Sequence, residues 1–207
     1  DHITAIETRD IAGLSTTQIA ALTSTQWRAL STGQIAALNT AQFFVLTTSD
    51  IQSMTTTQLV AVETSDMSGF NTVQIAMLSN EQLTTLTTLQ ITVLQTSQIR
   101  AITQLMTTEQ ITALSSAQLG AFSTAQFNML DAQRIAVIET RDIVGLTTAH
   151  IAVLSVSQLN AMTTAQIVAL NSFQIAALTS TSIVALSTVQ IQAIEANDVA
   201  GYTTFQI

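Results

Sequence analysis

Leu14-Ser15-Thr16-Thr17-Gln18-Ile19-Ala20-Ala21 holds in eight residues the pattern that decides this fold. Ser15 is a preferred helix N-cap, and Gln18 stands three residues on. That is the capping-box spacing, in which the cap side chain accepts from the third helical N–H while the third side chain accepts from the cap N–H. Leu14 and Ile19 flank the box where two apolar side chains close as a hydrophobic staple. With Leu14 as position 1, the octad predicts a helix of about two turns, entered at position 2 and left as the next position 1 leads into the next cap.

The same pattern fills the chain. An apolar residue falls on every eighth position from Ile6 to Ile102 and, after a half unit Ile102-Thr103-Gln104-Leu105, from Met106 to Tyr202, giving 24 complete octads. Positions 1 and 6 are apolar in all 24, and position 2 is Ser, Thr, Asn or Asp in 19, so the staple and the cap recur together. Position 5 is Gln in 16 octads and Asp in five, with Arg134, His150 and Ser182 as the exceptions. A repeat this regular overrides the usual link between length and domain number. Residues 1–207 are therefore expected to form one continuous array. Both ends cut through an octad, so the sequence is expected to be a window on a longer one.

Position 6 and the next position 1 are three residues apart and share a helical face, where they would line a common core. Position 8, most often Ala or Gly, lies on a flank where a small side chain admits a neighbouring helix. The fold expected is an all-α solenoid of very short capped helices, one per octad. A β-solenoid is the alternative, since Thr, Ile and Val favour strands, but three-residue spacing would put the two strictest apolar positions on opposite faces of a strand. One long helix is excluded, because its apolar stripe would slip by about 80° per octad at 100° per residue.

Composition narrows the functional classes. Five Arg, no Lys and a net charge of −8 leave no basic surface for phosphates, so nucleic-acid binding is not expected. Every octad inserts Ser, Thr, Gln or Asp, so no apolar run approaches the roughly 18 residues of a membrane span, and membrane insertion is not expected either. Charged residues make up 9% against 47% hydrophobic, which places the chain among folded proteins despite its low-complexity look. The absence of Cys rules out disulfides and thiolate metal sites.

Four octads depart from the norm together, each with Glu at position 2, Asp at position 5 and Gly at position 8: Glu7/Asp10/Gly13, Glu63/Asp66/Gly69, Glu139/Asp142/Gly145 and Glu195/Asp198/Gly201. Seven octads separate Glu7 from Glu63, and seven again separate Glu139 from Glu195. The second pair thus repeats the first within a super-repeat, spanning 1–132 and begun again over 133–207, with the half unit 102–105 inside it. Glu7, Asp10, Glu63, Asp66, Glu139, Asp142, Glu195 and Asp198 are the candidate Ca²⁺ ligands if successive turns bring them together. Two carboxylates per octad are few for a cation that takes six to eight oxygens. The acids are read instead as partners of the helix N-terminal dipole, with Gly easing the helix exit and Arg9 and Arg141 as local ion-pair partners. No cofactor is expected.

His2 and His150 replace Gln at position 5 and are read as cap contacts rather than ligands or bases. No nucleophile–base set, phosphate loop or H-E-x-x-H motif occurs, so the chain is not expected to be an enzyme. Trp27, Phe43 and Phe127 at position 6 belong to the expected core. Phe44, Phe173 and Phe205, at positions 7 and 4, are the candidate exposed contact residues.

Octads such as Leu30-Ser-Thr-Gly-Gln-Ile-Ala-Ala and Met162-Thr-Thr-Ala-Gln-Ile-Val-Ala resemble the L-T-T-x-Q-I-x-A arrays of very large secreted or surface proteins of Gram-negative bacteria. The resemblance runs through essentially the whole sequence and implies an extracellular or cell-surface location. The expected role is a structural module of a fibre, stalk or giant adhesin. Mean hydropathy of +0.44 and mixed apolar residues at positions 4 and 7 point to exposed apolar surface and hence to self-association or lateral filament contacts. A hydroxyl-rich module binding carbohydrate or ice is the alternative.

Overall fold

The computed structural model describes residues 2–102 and 106–194; residues 103–105 of the half unit lie outside them. Within that range each octad closes into one short helix, from Thr8–Ile11, Thr16–Ala20 and Ser24–Ala29 through to Thr188–Ala193, and no strand occurs among the described residues. The fold is all-α, as the capping pattern requires, and the β-solenoid does not form.

The caps work as the octad predicts. Ser15 Oγ accepts the Gln18 N–H at 3.2 Å while Gln18 Oε1 accepts the Ser15 N–H at 2.8 Å. Thr55 with Gln58 and Ser155 with Gln158 repeat this box. Asp at position 5 can serve as well, since Thr47 and Asp50 close the same box. Glu at position 2 cannot: Glu7, Glu63 and Glu139 make no side-chain cap bond. The extra methylene carries the carboxylate past its own helix N-terminus, and two of these octads, Thr64–Gly69 and Thr140–Gly145, wind as 3₁₀ helices.

Each helix ends without a left-handed residue. Position 1 turns extended, as at Leu30 (φ −62°, ψ 136°), while its N–H still bonds the position-6 carbonyl, here Trp27 O at 3.2 Å. No described residue, glycine included, has positive φ. The expectation that Gly at position 8 eases the helix exit is therefore corrected: the exit is made by the extended pair at positions 1 and 2, and the glycine serves the other reason expected at position 8, admission of a neighbouring helix.

That reason is packing between turns of the solenoid. Helices three octads apart lie against each other: Ser24–Ala29 on Thr48–Ser53, Thr40–Phe44 on Thr64–Gly69, and Ser116–Gly120 on Thr140–Gly145. A Cβ on Gly69 would strike the backbone of Thr40, and one on Gly145 the backbone of Ser116. A Cβ on Gly120 would meet the Gly145 carbonyl oxygen at 2.7 Å. Position 6 and position 1 side chains point inward and form the core, with Trp27, Phe43 and Phe127 fully buried and Phe43 stacked on Phe70 of the next turn at 5.1 Å.

The chain divides into two compact units, Asp1–Met106 and Thr107–Ile207, and the division falls just after the half unit. In each, turn-to-turn side-chain bonds join residues 25 to 31 apart, as in Ser24–Ser49 and Gln58–Trp27 in the first unit and Thr112–Val137 and Gln174–Ile143 in the second. The Gln58–Leu30 and Gln174–Leu146 bonds fall in the middle of that range, at 28 residues, which gives three and a half octads per turn.

Gly145→Ala and Gly69→Ala should each destabilise the fold by about 1–3 kcal/mol, the cost of overpacking against rigid backbone. Gly33→Ala meets only side-chain atoms at 3.7 Å and beyond, and should instead stabilise its helix by about 0.5–1 kcal/mol. Urea denaturation followed by circular dichroism ranks the three variants.

Candidate functional site

Helices of five or six residues leave most of their carbonyls without an intrahelical partner. In this solenoid the partner comes from the following turn. Gln58 Nε2 donates to Trp27 O at 2.9 Å and Leu30 O at 2.8 Å, while its Oε1 accepts the Thr55 N–H at 2.8 Å. The same amide spans 31 and 28 residues at Gln74, Gln90, Gln158, Gln166 and Gln174. These glutamines are buried. Each amide therefore caps its own helix with one end and fastens the previous turn with the other.

The exceptions at position 5 show what that double role demands. His150 reproduces it: Nδ1 accepts the Thr147 N–H at 3.2 Å and Nε2 lies 2.8 Å from Phe122 O, so the proton sits on Nε2. Its ring stacks on Phe127 at 4.8 Å. Burial holds the imidazole pKa below its ordinary value, partly opposed by the bond to Phe122. Ser182 bonds only within its own octad, to Thr179, because a hydroxyl on one carbon cannot span to the earlier turn. Arg134 forms an ion pair with Asp131 at the cap of its own helix.

Two of the Glu-x-x-Asp octads are tied by local ion pairs. Arg9 contacts Glu7 at 2.9 Å and Asp10 at 3.5 Å; Arg141 contacts Glu139 at 2.7 Å and Asp142 at 3.4 Å. Asp66 accepts from the Thr40 hydroxyl of the turn before, an interaction that serves packing. Helix Thr8–Ile11 packs on Thr32–Ala36, and Thr40–Phe44 on Thr64–Gly69, so a full turn lies between Glu7/Asp10 and Glu63/Asp66. Among the described residues no group of three or more His, Asp or Glu side chains converges as metal ligands would. Glu195 and Asp198 lie outside the described residues.

Phe44 and Phe173 are 60% and 78% exposed; Phe205 lies outside the described residues. The apolar surface expected at positions 4 and 7 extends well beyond the aromatics. Val73, Leu89, Val144, Val184 and Val189 are exposed at the same two positions, 4 and 7. Phe44 and Val73, Val60 and Leu89, and Val144 and Phe173 share one sequence offset, a single position past a full turn, and of these Val60 and Leu89 line one groove. The hydroxyls at position 2 are engaged in caps, whereas Thr16, Thr32, Thr72 and Thr88 at position 3 stand exposed. No helix of the described residues is long and apolar enough to cross a membrane.

Two stretches, residues 3–40 and 135–172, match the ALTTAQ repeat family. The second match is offset from the first as Glu139 is from Glu7, so the matches follow the super-repeat. Together they cover less than half of the chain, which is thus similar to that family over those stretches. No curated protein matches the chain.

Gln166→Glu should cost about 2–4 kcal/mol, since it keeps the cap acceptor but removes the donor and sets a carboxylate against the Ile135, Ala136 and Ile138 carbonyls. Ser182→Gln should stabilise by about 1 kcal/mol by adding the missing inter-turn bond. Equilibrium urea unfolding of both variants tests the amide's double role; a neutral Gln166→Glu would refute it.

Proposed function

We propose that the chain is a non-catalytic structural module: a solenoid shaft or stalk segment of an extracellular bacterial fibre or giant adhesin. The observation that carries this is the identity of the joint from turn to turn. Each octad with the usual residues brings its own cap, its own two core residues and its own fastening amide, so length grows without a new core having to be devised. The surface location rests on the resemblance of the octads to the arrays of very large secreted proteins of Gram-negative bacteria.

The exposed apolar residues at positions 4 and 7 support lateral association, because contiguous apolar surface on a chain with few charges marks a contact face. The hydroxyl-binding alternative, for carbohydrate or ice, rests on the exposed Thr residues at position 3. It has less support, because the more regular row at position 2 is engaged in capping.

Small-angle scattering and negative-stain electron microscopy of the purified chain should show elongated particles whose length scales with octad number when octads are added. Compact globules of fixed dimension would overturn the shaft. An ice-recrystallisation assay and a glycan array separate the alternative.

A further inference from the structure

Position 5 of three consecutive octads, at residues 134, 142 and 150, carries Arg, Asp and His in place of Gln. Of these, His150 takes over both jobs of the missing amide. It is buried, 2% exposed, and its Nε2 joins helix Thr148–Ala152 to the Phe122 carbonyl three octads earlier. Unlike a glutamine amide, an imidazole can be protonated in acidic solution.

We infer that His150 makes the second unit acid-sensitive: protonating its Nδ1 removes the acceptor for the Thr147 N–H and loosens the turn carrying residues 146–154 from the turn carrying residues 122–130. The proton comes from solvent and adds to the Nδ1 lone pair. Two N–H donors then face each other where a 3.2 Å hydrogen bond stood. The imidazolium also sits in an apolar site against the Phe127 ring, beyond the reach of bulk water.

The surroundings offer the charge no counterion. The helices packed on Thr148–Ala152 are Thr124–Asn128 and Ser172–Ala176, and neither contains a titratable residue. The octad of His150 has no other. In the octad before it, Glu139 and Asp142 are bound to Arg141, and Asp131 is bound to Arg134. Burial depresses the imidazole pKa in the folded state. A base with a depressed folded pKa contributes stability above its ordinary value of 6.5, and that stability is lost as the pH falls through the lower folded value.

Backbone hydrogen exchange read by mass spectrometry, on the full chain at pH 7.5 and pH 5 with intrinsic rates corrected, tests the inference. Residues 123–130 and 147–154 should lose protection several-fold at pH 5, while residues 55–62, fastened by Gln58, keep theirs. His150→Gln restores the residue usual at this position, so it folds, and it should abolish the local loss. An unchanged acid response in His150→Gln, protection retained at pH 5 in the unsubstituted chain, or a loss spread evenly over both units would each overturn it.

Discussion

The unpaired carbonyl is the constraint around which this protein is built. A helix of five or six residues forms few internal bonds, so it is all terminus, and a chain of such helices would bury many polar groups without partners. The glutamine at position 5 resolves this, because a primary amide is acceptor and donor at once. Its oxygen closes the cap of one helix, and its nitrogen reaches two carbonyls exposed where an earlier helix ends. Local secondary structure and turn-to-turn cohesion thus depend on the same side chain.

Polar satisfaction and core packing divide the octad between them. Positions 1 and 6 point inward and exclude water, and position 5 lies just above them, buried enough for its bonds to be strong in a low-dielectric setting. Among the described residues, the buried side-chain polar atom left without a partner is Trp27 Nε1, where a large indole occupies a slot that Ile fills at residues 19 and 35. Gly69 and Gly145 mark where two turns approach too closely for any side chain, even though their backbone conformation would suit Ala.

Much of this was legible in the sequence. Ser15, Gln18, Leu14 and Ile19 name a cap, a box and a staple, and the helix follows from local chemistry. What escaped was the second half of the glutamine's work, because a capping box accounts for its oxygen alone. The signal was present: a box accepts Glu as readily as Gln, yet none of the 24 octads has Glu at position 5. The preference for Gln fits the need for a donor, which the five octads with Asp at position 5 forgo. The turn size was hidden as well, since the partners of Gln58 in the earlier turn, Trp27 and Leu30, leave no mark on an eight-residue period. Reading position 8 as a small flank that admits a neighbouring helix is correct at Gly69 and Gly145, whereas reading it as a helix exit fails because the extended position 1 makes a left-handed glycine unnecessary.

Three and a half octads per turn also changes what an insertion means. In a globular domain, an added segment of this size must be accommodated in a loop. Here a whole octad inserted within a unit brings its own core residues and fastening amide, yet rotates every downstream surface residue of that unit about its axis by two-sevenths of a turn. Gain or loss of octads therefore steers as well as lengthens. It re-aims Phe173, or any other exposed group, toward a different neighbour without calling for a new kind of contact in the interior.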